Sequence, residues 1–308
     1  MAISIPGIFR TLYELEGFKP ENISWKETMS EEDTELDAFL DNKWEEQLKK
    51  KKAALEKNGN PVLIQPDEQG IPALYEVGKK IMYDDPVLVV GEIAVDEKGV
   101  LIQAHQERFS TVGLWDDEEY LTYLEKQGKV KGELIGTNAL LVTSDDYLVL
   151  IQRSEKTTTH PGLICVPGGR PSSCGESPLV HQLHENAEEI GLKDTDYNSM
   201  GVRAIVRNDQ VEYTLLLFGM VLNLTRAEVE KQYASLQDQP IDVSSLEYFS
   251  PQRDLLLQRL LRDFSRQGER GCLTTGAYAQ LTLYGKERYG DEWFRELERS
   301  IAMLNKTQ

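Results

Sequence analysis

Apolar residues recur at helical spacing early in the chain, at Leu36, Phe39, Leu40, Trp44, Leu48 and Leu55. Polar positions, Lys49 to Lys52 among them, fall between. This periodicity predicts an amphipathic helix over residues 31–57, stopped by Asn58-Gly59. The first 30 residues mix Pro, Gly and charge and predict no regular element. After the helix the pattern shifts to β-branched and apolar runs at 61–65 and 87–95. Asp96-Glu97-Lys98-Gly99 reads as a hairpin turn, with 100–104 as the returning strand. A short acidic helix is expected over 116–127, and the Gly- and Lys-rich stretch 128–136 marks a boundary between domains 1–134 and 135–308.

The second half predicts strands at 138–143 and 147–153 around a Ser144-Asp145-Asp146 turn. A strand at 163–166 runs into Pro167-Gly168-Gly169 and then a helix. Strands follow at 202–207 and 211–222, then a helix at 226–234, a short strand at 246–249, and helices at 252–265 and at the C-terminal end. Strands and helices interleave without a regular βαβ rhythm, which predicts an α+β fold.

Composition narrows the function classes. A chain of 308 residues is long enough for two ordinary domains. Its net charge of −18 repels nucleic-acid phosphates, so no nucleic-acid partner is expected. A negatively charged small substrate would need a local cation. Cys165, Cys174 and Cys272 are odd in number and none is spaced as a metal ligand, which suits a reducing compartment. No basic start leads into an apolar run, and no stretch approaches the roughly 20 apolar residues that span a bilayer. The expected location is the cytoplasm, without a membrane partner. The sequence leaves the oligomeric state open.

The informative segment is Gly168 to Leu192. Ser177 is a good N-cap, Pro178 suits the first helical position and Gly191 suits the stop. With about 100° per residue, Leu179, Leu183, Ala187 and Ile190 cluster on one side, and Glu185, Glu188 and Glu189 point the other way. Carboxylates at i, i+3 and i+4 are neighbours that repel unless a cation lies between them. Hard divalent ions such as Mg²⁺ take oxygen ligands and leave room for substrate phosphates, although three glutamates on a solvated face arise easily in a chain with 52 acidic residues.

The strand-PGG turn, Glu176 and the run from His184 to Leu192 together resemble the signature box of the Nudix hydrolases. That pattern is Gly, five residues, Glu, seven residues, then Arg-Glu-apolar-x-Glu-Glu-x-Gly-apolar. The resemblance makes Glu185, Glu188 and Glu189 the metal ligands and the catalytic acids, with Glu176 supporting the loop. The ion would be Mg²⁺, with Mn²⁺ as the alternative. Three positions depart from the pattern: Gly169 stands one residue early, His184 replaces Arg, and Asn186 occupies an apolar position.

A wider resemblance, to vertebrate Nudix enzymes that hydrolyse UDP-glucose and UDP-galactose, runs through Trp44-Glu45, Gly136-Thr137, Asp145 to Val149, Arg153-Ser154 and Pro161-Gly162-Leu163. It continues through Val166 to Gly169, Val180-His181, Arg207-Asn208, Glu212 and Leu283-Tyr284. It implies a C-terminal Nudix fold, a mixed sheet between helices in an α/β/α sandwich, behind an N-terminal α+β domain. The implied reaction is hydrolysis of a nucleoside diphosphate derivative. Gly168 and Gly169 would let backbone approach the phosphates. Arg153 and Arg207 could grip the diphosphate, with Asn208 beside them. Glu212 could orient the attacking water or add a ligand. His105, His160 and His181 lack partners at metal spacing and read as ordinary. ADP-ribose, dinucleoside polyphosphates and NADH remain alternative substrates, and a non-catalytic nucleotide-binding protein remains an alternative class. No P-loop, dinucleotide fingerprint or GxSxG elbow occurs.

Overall fold

The computed structural model describes residues 3–15, 18–28, 34–57, 62–66, 71–76, 79–82, 86–108, 117–126, 133–155, 157, 160–208, 213–236, 240 and 242–307. The apolar run ending at Val142 forms β9 (Glu133–Val142), with eight of its ten residues buried. Successive side chains of a strand point to opposite faces. Accordingly Leu140 and Val142 enter one core, while Ala139 and Leu141 enter the other. A strand covered on both faces reads as a continuous apolar run rather than an alternating one.

β9 organises the sheet. It pairs in parallel with β13 (Tyr213–Leu222) along nine residue pairs, Tyr213↔Leu134 to Val221↔Val142. At one end β9 also pairs antiparallel with β7 (Pro86–Asp96), at the other with β10 (Leu148–Arg153). β7 and β8 (Gly99–Arg108) make the hairpin expected around residues 96–99. β12 (Tyr197–Asn208) lies on the far side of β13. β10 carries β11 (Ile164–Cys165) and β14 (Val243–Phe249). The result is an α+β protein with a mixed sheet of eleven strands among the described residues. Strands from both sides of residue 134 share it.

Helices cover both faces. Ile190 of α3 (Pro178–Ile190) and Val229 and Tyr233 of α4 (Arg226–Ala234) pack into the core that holds Leu141 and Phe218. Leu256 and Leu260 of α5 (Arg253–Phe264) and Trp293 and Leu297 of α6 (Thr275–Thr307) fill the opposite core. α6 is interrupted at Gly290, whose φ of 80° is open to glycine without strain. Away from the sheet, α1 (Thr34–Lys57) presses Trp44 and Leu48 onto Val62 and Leu74 of the small antiparallel sheet β4 (Val62–Pro66), β5 (Pro72–Glu76) and β6 (Lys79–Met82). The Trp44 indole donates to the Pro72 carbonyl at 2.7 Å. α2 (Glu118–Lys126) adds Tyr120 and Leu124 to a further cluster with Leu40 and Val89.

Two expectations need correction. Residues 133–136, placed in the boundary stretch and ahead of the strand expected at 138–143, are the start of β9. Gly136 is there for close approach: a Cβ on it would overlap the Tyr213 hydroxyl. The first 30 residues, read as irregular, contribute β1 (Ser4–Ile5), β2 (Phe9–Glu14) and β3 (Ile23–Glu27). β2 pairs with β12, and β3 runs parallel to β8. These strands are short and have few apolar positions, so their period is too brief to stand out; the strands beside them supply the order. Among the described residues no helix is long and apolar enough to cross a membrane.

Candidate functional site

β11 leads into Pro167-Gly168-Gly169, which lies along β9: Ala139 N–H donates to the Pro167 carbonyl and Thr137 N–H to that of Gly169, each at 2.9 Å. The approach is close enough that a Cβ on Gly168 would overlap the Thr137 carbonyl oxygen, and Gly168 has φ 150°. α3 then begins as its sequence dictates. Ser177 accepts from Val180 N–H at 3.2 Å, Pro178 occupies the first turn, and Gly191 closes the helix in the left-handed region.

The face that α3 buries differs from the one periodicity predicts. Leu179, Leu183 and Ala187 are only half-buried, while Pro178, Gln182, Asn186, Glu189 and Ile190 are buried. The helix is turned so that a polar stripe lies inward, where the Gln182 and Asn186 amides find acceptors. Gln182 donates to Asn186 at 2.9 Å and to the Pro167 carbonyl at 3.3 Å. Asn186 donates to the Tyr197 hydroxyl at 2.9 Å. Satisfied in this way, Asn186 can occupy an interior position. His184, at the position of the pattern's Arg, lies 3.0 Å from the Glu176 carboxylate. The Trp25 indole of β3 donates to the Glu176 backbone carbonyl, so the N-terminal segment fastens the loop before α3.

The acidic side chains end in different environments. Glu189 is 8% exposed and accepts from Gly168 N–H at 3.0 Å. Burial, then the Glu185 charge, pushes its carboxyl up to about 8. Glu185 is pushed up to about 7 by burial and then by Glu188. Its carboxylate fills the space where a Cβ on Gly169 would stand. Glu188 is exposed. Arg153 offsets part of the rise at Glu189, and Arg170 part of that at Glu185. Two carboxyls held near neutrality beside a glycine turn and flanked by arginines form a perturbed, electrostatically strained cluster, the kind of place where function concentrates.

No family model matches the chain. Human uridine diphosphate glucose pyrophosphatase NUDT22 is 32% identical over 120 residues, covering 33% of this chain and 40% of the human protein. The Bos taurus protein of the same name is 47% identical over 53 residues, 16% of this chain and 18% of its own. The chain is a distant, partial homologue of NUDT22. It spans less than half the length of these NUDT22 relatives. Among solved structures, a mutT/nudix family protein from Listeria innocua matches 50% of this chain and 93% of its own length, with 16% identity and a TM-score of 0.36.

The remaining residues singled out in the sequence fall in three groups. Arg153 lies at the cluster, 15% exposed and 3.8 Å from Asp242. Arg207 pairs with Glu133 at 3.1 Å, and Asn208 is buried at the end of β12. Glu212 lies outside the described residues. Sequence reasoning missed Arg170, directly after the glycines, and Tyr213, whose hydroxyl lies against Gly136 and whose ionisation feels Arg170 and Glu185. Position after Gly-Gly was a usable signal for Arg170. Nothing local marks Tyr213. Among the described residues, no group of three His, Cys, Asp or Glu side chains is placed to hold a metal ion. The nearest approach to one is the carboxylate pair of half-buried Glu185 and buried Glu189, whose hard donors and mutual repulsion fit a divalent cation completed by non-protein oxygens.

The raised carboxyls set a pH dependence. Folded pKa values of about 7 and 8 lie above the ordinary 4.5, so the folded chain holds protons that the unfolded chain releases. Their contribution to stability is full below about 4.5 and is lost as pH rises through about 8. A divalent ion competes with those protons. Its stabilising shift in Tm should therefore be larger at pH 8.5 than at pH 6, measured by thermal melts with and without Mg²⁺ or Mn²⁺. A shift of equal size at both pH values would exclude Glu185 and Glu189 as ligands.

Proposed function

We propose that this chain is a Nudix pyrophosphatase that uses a divalent metal to hydrolyse a nucleoside diphosphate joined to a second group, with UDP-glucose or UDP-galactose as substrate. The observation that carries this reading is the pair of half-buried Glu185 and buried Glu189 at the Gly168-Gly169 turn of a capped helix. The partial homology to a UDP-glucose pyrophosphatase supports the substrate. Water adds to one phosphorus, the bridging P–O bond breaks, and UMP and the sugar 1-phosphate leave. Glu185, Glu188 and Glu189 would hold Mg²⁺ or Mn²⁺. When bound, the ion offsets charge on the diphosphate and lowers the pKa of water.

The chain's own residues do the rest. The Gly168 N–H fixes the Glu189 carboxylate. The absent side chain of Gly169 leaves the space that Glu185 occupies. Arg153 brings positive charge to Glu189 and Arg170 to Glu185, where diphosphate oxygens would bind. In this reading Arg207 and Asn208 contact the substrate farther out, and Glu212 orients the water. Residues 135–308 form the catalytic domain, and residues 1–134 extend the pocket in a cytoplasmic enzyme.

The test is incubation of the purified chain with UDP-glucose, with and without Mg²⁺. Metal-dependent release of UMP and glucose 1-phosphate is the expected result. Release only from ADP-ribose, a dinucleoside polyphosphate or NADH would keep the reaction and discard the sugar nucleotide. No release from any of them, with tight Mg²⁺-dependent binding of UDP-glucose, would make this a nucleotide-binding protein.

A further inference from the structure

The chain has four histidines, His105, His160, His181 and His184. One of them, His181, has a ring nitrogen in the interior, Nε2, with no hydrogen-bond partner among the described residues. A buried polar atom left unpaired calls for an explanation. Nε2 lies 3.5 Å from Oε1 of Glu185, one helical turn along α3. The ring is held from outside the helix. Trp25 of β3 leans on it, with ring centroids 6.3 Å apart and planes at 57°. The Gly169 backbone is a further polar group that acts on the ring.

That arrangement decides what Nε2 can do. In the neutral ring with its proton on Nδ1, the lone pair sits on Nε2. A lone pair facing a carboxylate oxygen is unfavourable unless a proton or a cation lies between them. Two ligand atoms bonded to one cation at ~2.1 Å stand roughly 3.0–3.4 Å apart, for octahedral to tetrahedral angles, close to the spacing seen.

We propose that His181 Nε2 is a metal ligand, forming with Glu185 a mixed nitrogen–oxygen seat for a divalent transition ion. This rests on the metal-dependent reading above and deepens it. Mg²⁺ prefers an all-oxygen shell, whereas imidazole moves preference toward Mn²⁺ and Zn²⁺. Substrate diphosphate and water would complete the shell, consistent with the lack of a full protein cage among the described residues.

The experiment is electron spin echo envelope modulation on the full chain loaded with Mn²⁺, prepared at natural abundance and with ¹⁵N-histidine. A ¹⁴N modulation that changes on labelling and vanishes in His181→Ala is expected. Mn²⁺ should also bind at least about tenfold more tightly than Mg²⁺ by titration calorimetry, and His181→Ala should remove that preference. Because His181→Ala could fail to fold, the triple variant H105Q/H160Q/H184Q, in which His181 is the sole histidine, must keep the signal. Bound Mn²⁺ with no nitrogen modulation would overturn the ligand while leaving the proposed reaction standing. A modulation that survives in folded His181→Ala would do the same. No Mn²⁺ binding, even with UDP present, would overturn both.

Discussion

Glu189→Gln should lower kcat for UDP-glucose hydrolysis by about 10²–10³-fold, or ~3–4 kcal/mol of transition-state stabilisation. The amide has nearly the same shape as the carboxylate and can still accept the Gly168 N–H bond now made at 3.0 Å. It lacks the negative charge that a cation needs. The fold should survive. Above pH 8 the metal-free variant should melt at the wild-type temperature or higher, because the wild type must there hold an ionised carboxylate in an interior that pushes its pKa to about 8. A loss of rate with no loss of stability is the pattern of a group retained for function rather than folding. Steady-state UMP release and thermal melts on the same preparations read both quantities. A fully active Glu189→Gln enzyme would sink the ligand assignment, and an inactive variant that also unfolds would show a structural role.

Gly168→Ala should destabilise the chain by about 2–3 kcal/mol and abolish detectable metal binding. The Cβ would overlap the backbone carbonyl of Thr137 in β9, and nearby atoms of Asn138 are within contact as well. A side chain could swing away, but a carbonyl fixed in a sheet core cannot. The turn would have to lift, and φ 150° is unfavourable for alanine in any case. Lifting it pulls the Gly168 N–H from Glu189 and frees the carboxylate. Gly169→Ala is the informative contrast. Its Cβ would meet the movable end of Glu185, so stability should change little while metal affinity falls. Chemical denaturation and metal titration separate the two variants. Equal stability of Gly168→Ala and wild type would show that the turn adapts and that the close approach is not required.

The difference between those glycines shows how far sequence reading reaches. Both were legible as a turn, because Pro-Gly-Gly after an apolar run is local information. That Gly168 abuts β9 while Gly169 yields to Glu185 depends on segments about 30 and 16 residues away. The ends of α3 were legible for the same reason as the turn: Ser177, Pro178 and Gly191 act on backbone groups within one turn of themselves. Its orientation was not. An apolar count assigned Leu179, Leu183 and Ala187 to the interior, yet Gln182 and Asn186 lie there, stabilised by Pro167 and Tyr197. Periodicity weighs residue types and cannot see partners that arrive from other strands.

The sequence by itself determined the α+β class, the main strands and helices of the second half, and the spacing of Glu185, Glu188 and Glu189 on one helix, because each follows from short-range geometry. Only the tertiary structure decided that β2 and β3 complete the sheet, that Trp25 and His181 stand at the loop and at Glu185, and that Tyr213 and Arg170 join them. It also separated buried Glu189 from exposed Glu188, which local sequence treats alike. The physical reason is that desolvation and pairing are set by what the register of distant strands places around a side chain, and no window along the chain contains that register.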